Sequence, residues 1–237
     1  MKFWLFGDSF FDLPGYENDK IYWVDLLPNT VNLSLGGTGP HYMLPILEKY
    51  ISKISRDDVI ICHISDKDRI TFPSSIIASD QMMYITKTGL QSGYDDKRLA
   101  NYYDKNKNSI DFTFKTFEKI IESLPQLIVS YLYSLDVKSI VFCSSPITHR
   151  PKNTNNFHLS NYSLFDISIN EFIDFDGDLK GVIDSRNNHL SDENHLILIE
   201  YIHKVLAKEK LPTFKEKFIF QKNVIKKINS DMVFIYE

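Results

Sequence analysis

Phe3-Trp4-Leu5-Phe6-Gly7-Asp8-Ser9-Phe10-Phe11 stands at the start of the chain, and its reading decides the fold. Four apolar residues run into a Gly-Asp-Ser turn. A short aromatic-rich run closed by such a turn predicts a buried strand over 3–6. Gly7 lets the backbone bend sharply, and Asp8 and Ser9 tolerate turn geometry. Ser9 then stands at the carboxyl end of a strand, where open α/β sheets place their ligands. If a helix follows, the Ser9 N–H lies near its N-terminus and can face a developing negative charge. Ser9 is therefore a candidate nucleophile. A plain strand-ending turn is the competing reading of the same residues.

Working outward, Asp19 to Leu27 reads as a short helix ended by Pro28-Asn29. Val31 to Leu35 is a second strand, and Gly36-Gly37-Thr38-Gly39-Pro40 is its exit loop. His41 to Ile54 carries apolar residues at helical spacing, with Pro45 placed in the first turn, where proline is tolerated. Val59-Ile60-Ile61-Cys62-His63-Ile64 is a nearly unbroken apolar strand of the kind found in parallel sheets. Strand, helix, strand, helix, strand predicts an α/β fold with right-handed crossovers.

The rest reads less evenly. Residues 70–108 have no clean periodicity and are taken as an insertion with short helices, either a lid or a surface decoration. Ile110 to Leu135 is helical, and Pro125 should kink it or split it in two. Lys138 to Cys143 is a fourth strand with Ser144-Ser145-Pro146 as its exit. A polar loop follows from His149 to about Asn161. Phe165 to Phe172 is read as a weak strand, Gly181 to Asp184 as a short strand or turn, and Leu196 to Leu206 as the last strong helix. Residues 212–237 form an accessory segment, so the expectation is one domain over 1–237.

Composition narrows the function classes. The chain has 43% apolar residues, too many for disorder, and its net charge of -4 comes without any basic block that nucleic acid would need. Cys62 and Cys143 each lie in an apolar strand and read as reduced core residues. No membrane span is present in the sequence. Asp8 interrupts the first apolar run, which argues against a signal peptide and for a cytoplasmic or virion-associated protein.

A serine nucleophile needs an adjacent base, and the base needs an orienting group. Histidine suits the first task because its pKa lies near working pH. Of seven histidines, His41, His63, His149, His158 and His203 read as structural or surface residues. His189 and His195 flank the start of the last helix, and His189 is preferred because it precedes that helix. These two are no metal signature, since no HExxH or Cys/His cluster accompanies them. Gly36-Gly37-Thr38-Gly39 lets backbone N–H groups approach an anion, although it lacks the lysine of a phosphate-binding loop.

Gly7-Asp8-Ser9, the glycine loop after strand two and His189-Leu190-Ser191 before the last helix together resemble the SGNH (GDSL-type) hydrolase family. The resemblance covers residues 3–207, and Trp23, Leu27, Asn32 and Gly36 to Gly39 are similar to a subgroup met in phage and bacteria. It implies a flavodoxin-like three-layer α/β/α sandwich with a central parallel sheet. The implied activity is hydrolysis of carboxylic esters, including O-acetyl esters on carbohydrate, with no metal or organic cofactor and a small-molecule or glycan ester as partner. Ser9 becomes the nucleophile and His189 the base. The N–H groups of Ser9 and of Gly37 or Gly36 form the oxyanion hole, and Asp8 belongs to the nucleophile motif. Two positions depart from the family pattern. Lys67 stands where the family has an asparagine, and Arg186 stands three residues before His189, where the family acid belongs. Asp184 is then the preferred acid, with Asp192 paired to His195 as the alternative. These departures keep two other readings open. One is a non-catalytic carbohydrate-binding or structural module, and the other is an O-acyltransferase.

Overall fold

In a computed structural model, the structure describes residues 1–8, 10–12, 22–36, 38–65, 69–72, 83–86, 97–161, 163–164, 190, 192–209 and 211. Five parallel strands form the main sheet: β1 (Phe3–Phe6), β2 (Thr30–Asn32), β3 (Val59–Ile64), β6 (Lys138–Cys143) and β7 (Phe157–Leu159). Their order is β2-β1-β3-β6-β7. A separate antiparallel pair joins β4 (Arg69–Phe72) to β5 (Met83–Thr86). The helices are α1 (Pro40–Ile51), α2 (Lys97–Ser134) and α3 (Asp192–Ala207), and Trp23–Leu26 forms a single 3-10 turn. The predicted α/β class is therefore present as a parallel sheet with helices.

Alternation along β1 and β3 divides the core in two. Phe3, Leu5, Val59 and Ile61 share one buried cluster with Phe10, Phe11, Trp23, and Leu198 and Ile202 of α3. Trp4, Phe6, Ile60 and Cys62 share the other with Met43 and Leu47 of α1 and Ile128, Val129 and Leu132 of α2. Successive strand residues face opposite sides, so a strand packed on both faces must be apolar throughout. All four residues of β1 and all six of β3 are buried accordingly.

Several expectations change. Only a 3-10 turn is described within the predicted helix 19–27, and residues 13–21 lie outside the described residues. Pro40 opens α1 at its first position, where a fixed φ and a missing N–H cost little, so Pro45 falls inside the helix beyond its first turn. Within 70–108 the described residues form most of the β4–β5 pair and the first part of α2, and residues 73–82 and 87–96, which remain for the expected short helices, lie outside the described residues. The signal was the alternation in Arg69-Ile70-Thr71-Phe72, paired in register with Met83 to Thr86. Helix α2 runs as one element from Lys97 through Pro125. The polar stretch 149–161 contains β7, whose Phe157 and Leu159 are buried beside β6. Three residues of alternation are too short to stand out in a polar context. The expected strands at 165–172 and 181–184 and the accessory segment 212–237 lie outside the described residues.

Candidate functional site

Strand order reverses between β1 and β3, since the chain passes from β1 outward to β2 and then returns to β3 on the other side. In open α/β sheets such a reversal leaves a crevice at the carboxyl ends of the strands. The exits of β1, β2, β3 and β6 meet there, and two polar stitches join them.

The first stitch runs from β1 through the glycine loop. Loop residues continue the β2 ladder, with the Leu33 N–H bonded to the Leu5 carbonyl at 2.9 Å and the Leu35 N–H to the Gly7 carbonyl at 3.1 Å. The Thr38 hydroxyl donates to the Leu35 carbonyl at 2.8 Å and lies 3.3 Å from the Gly7 carbonyl. The Ser65 hydroxyl donates to the Thr38 carbonyl at 2.7 Å, and the Ser145 hydroxyl donates to the Ser65 carbonyl at 3.2 Å. Buried backbone carbonyls need such partners, and short hydroxyl side chains supply them without bulk.

The second stitch is charged. Asp8 and His63 are fully buried, and the Asp8 Oδ1–His63 Nδ1 distance is 2.9 Å. His63 Nε2 lies 3.0 Å from the Ser144 hydroxyl. A carboxylate only accepts, so His63 Nδ1 carries the proton of the first bond. In the neutral imidazole Nε2 then accepts from Ser144.

Asp8 also holds the residues that follow Ser9 in sequence. Its Oδ1 accepts from the Phe10 N–H at 3.2 Å, and its carbonyl accepts from the N–H groups of Phe11 and Asp12 at 3.0 Å each. Downstream, Asp12 Oδ2 accepts from the Gly36 N–H at 2.6 Å, and the Asn32 amide donates to the Phe11 carbonyl. The Phe10 carbonyl accepts from the Tyr22 hydroxyl at 3.1 Å and the Trp23 indole at 3.2 Å. The β1 exit is thus tied to the glycine loop on one side and to the aromatic turn on the other.

Of the sequence-predicted residues, Asp8 is buried at this edge of the sheet, and Gly36 lies in the loop tied to it. The Gly36 N–H is engaged by Asp12, so of the two glycines weighed for the oxyanion hole, Gly36 has its donor in use. His195 is buried within α3, and its ring meets Tyr22 edge-on at 5.2 Å between centroids. Asp192 opens α3. Ser9, Gly37, Lys67, Asp184 and His189 lie outside the described residues. Their sequence neighbours are described, and Leu190 belongs to the same buried cluster as Phe10 and Phe11.

Sequence reasoning gave His63 a structural role, which its burial and two ring-nitrogen bonds fit, but named neither its partners nor the links made by Thr38, Ser65 and Ser144. A histidine inside an otherwise apolar strand was the available signal, because a buried ring nitrogen needs a partner. Among the described residues, no three His, Cys, Asp or Glu side chains are placed to hold a metal ion. A cavity of about 200 Å³ lies away from the crevice, at the start of β6, lined in part by Lys138, Asn156, His158 and Lys208. Among the described residues no helix is long and apolar enough to cross a membrane. No family model and no curated protein matches the chain.

Proposed function

We propose that the protein is a serine hydrolase of carboxylic esters, built as a flavodoxin-like three-layer α/β/α sandwich. Ser9 attacks the acyl carbon, and His189 takes its proton and returns it to the leaving alcohol. Asp184 orients His189. The N–H groups of Ser9 and Gly37 hold the oxyanion. One observation carries this reading. Leu190, next to His189 in sequence, shares a buried cluster with Phe10 and Phe11, which follow Ser9. Described neighbours of the two sequence motifs thus belong to one core on one face of the sheet, which supports the reading. The engaged Gly36 N–H favours Gly37 as the second donor. Short acyl esters on carbohydrate are the preferred substrate class, by the family resemblance.

Labelling with a fluorophosphonate, mapped by peptide mass spectrometry, tests the assignment. The expected adduct is on Ser9, and it disappears in Ser9→Ala and in His189→Ala. A folded wild-type protein that takes no adduct refutes the hydrolase reading. The departures at Lys67 and Arg186 then favour the second reading, a carbohydrate-binding or structural module.

A further inference from the structure

We propose that His63 is a positioning residue that fixes the Gly7-Asp8-Ser9 turn by bonding Asp8 on one side and Ser144 on the other. The inference rests on Ser9 being the nucleophile. Its geometry is independent of that reading. The bonds measure 2.9 Å from Nδ1 to Asp8 and 3.0 Å from Nε2 to Ser144. They join the exits of β1, β3 and β6, which are 55 and 81 residues apart in sequence.

The ring cannot easily turn. Phe10 meets it edge-on at 4.9 Å between centroids, and Phe11 lies tilted at 6.1 Å. With Nδ1 and Nε2 both engaged, the ring is fixed in its plane as well. Asp8 carries this constraint to the residues that follow Ser9 in sequence. Its carboxylate holds the Phe10 N–H, and its carbonyl holds those of Phe11 and Asp12. A nucleophile misplaced by about an ångström can lose ~10² in rate.

The same atoms have the connectivity of a Ser-His-Asp triad, with Ser144 in the place of the nucleophile. Two facts favour a tie over a second reactive serine. The Ser144 N–H is bonded to the Ile64 carbonyl at 2.9 Å, so the serine's own amide does not face an oxyanion. His63 has no exposed surface, whereas a general base must also pass its proton to a leaving group.

The test uses the full chain and the fluorophosphonate, with His63→Ala, His63→Asn and Ser144→Ala beside wild type. Saturation kinetics separate probe binding from bond formation at Ser9. His63→Ala should slow bond formation about tenfold or more with half-saturation unchanged. Asparagine can still donate from its amide to Asp8 but holds no base, so His63→Asn should recover most of the rate. Ser144→Ala should leave the adduct on Ser9. The proposal is overturned if His63→Asn is as slow as His63→Ala, if His63→Ala matches wild type, or if the adduct forms on Ser144. Should His63→Ala fail to fold, a His63→Asn rate near wild type supports the proposal, and a collapsed rate overturns it. A wild type without adduct brings down the hydrolase reading alone. Amide hydrogen exchange then decides the tie. Exchange at Phe10 to Asp12 that is faster in Ser144→Ala than in wild type sustains it, and equal exchange overturns it.

Discussion

Gly7→Ala should strain the β1 exit measurably. A Cβ on Gly7 falls 2.9 Å from Cδ2 and 3.2 Å from Cγ of Phe11, and 3.3 Å from Cβ of His63. Carbon atoms in good contact sit about 3.5–4.0 Å apart, so the Phe11 ring must yield by roughly half an ångström or more. It has little room to do so. Phe11 is fully buried, and its ring packs edge-on against Trp23 at 4.9 Å. His63 is held between Asp8 and Ser144. Overpacking of this kind costs about 1–3 kcal/mol. For a chain of this length each kilocalorie lowers Tm by about 2–4 °C, so a fall of roughly 3–10 °C is expected. Urea denaturation of Gly7→Ala, Phe11→Ala and the double variant isolates the cause. Phe11→Ala alone is costly, about 3–5 kcal/mol, but it removes the ring that the new methyl strikes. Adding Gly7→Ala to it should therefore cost clearly less than in wild type, since only the milder 3.3 Å contact with His63 remains. Additivity of the two changes within about 0.5 kcal/mol would refute the clash. So would a Gly7→Ala protein as stable as wild type.

Three further outcomes follow from buried ionisable groups. Burial pushes the Asp58 carboxyl up, but the N–H groups of Ser55 and Lys2 and the Trp4 indole together outweigh it and hold the carboxyl at about 2. Its stabilisation is complete above the unfolded pKa near 4 and is lost as pH falls through about 2. Asp58→Asn should cost about 1–2 kcal/mol at pH 6, allowing for screening, and urea titrations should show that gap closing toward pH 2. A gap independent of pH contradicts the account. Burial holds His158 down at about 4, with its Nε2 2.8 Å from the Tyr201 hydroxyl. The unfolded chain takes up that proton first, so stability should fall as pH drops from about 6.5 to 4, and His158→Gln should flatten the fall in the same urea titrations. Burial also pushes the Cys143 thiol up to about 11 and that of Cys62 higher than usual. At neutral pH an alkylating reagent should modify the folded protein ~100-fold more slowly than a free thiol, with both cysteines reacting once urea unfolds it. Rapid labelling of the native protein would mean that these thiols are not held in the core.

The parallel core was legible because burial on both faces leaves its mark on every residue of a strand. Phe3 to Phe6, Val59 to Ile64 and Lys138 to Cys143 read as strands at sight, and each forms one. Elements that bury little were harder to read. Strand β7 contributes only Phe157 and Leu159 to the core. Helix α2 is legible from Ile110 onward despite exposed Phe112, Ile120 and Leu127, whereas its first turns, Lys97 to Asn108, are mostly polar and carry no apolar stripe by which a helix is recognised.

The site divides along a different line. Gly7-Asp8-Ser9 and the glycine loop are contiguous in sequence, so their chemistry could be read from neighbours. His63 could not, because its role depends on register. Phe6 pairs with Cys62 and His63 with Phe142, which sets the Asp8 and Ser144 turns on either side of one ring. Nothing within a few residues of His63 announces either partner. A lone polar residue in an apolar strand is a demand for a hydrogen bond, and strand order decides where that demand is met. Here strand order brings both partners to the carboxyl edge, beside the serine motif. A buried polar residue near the end of a parallel strand is therefore read by asking whether the neighbouring strand exits supply its partners, and for His63 they do.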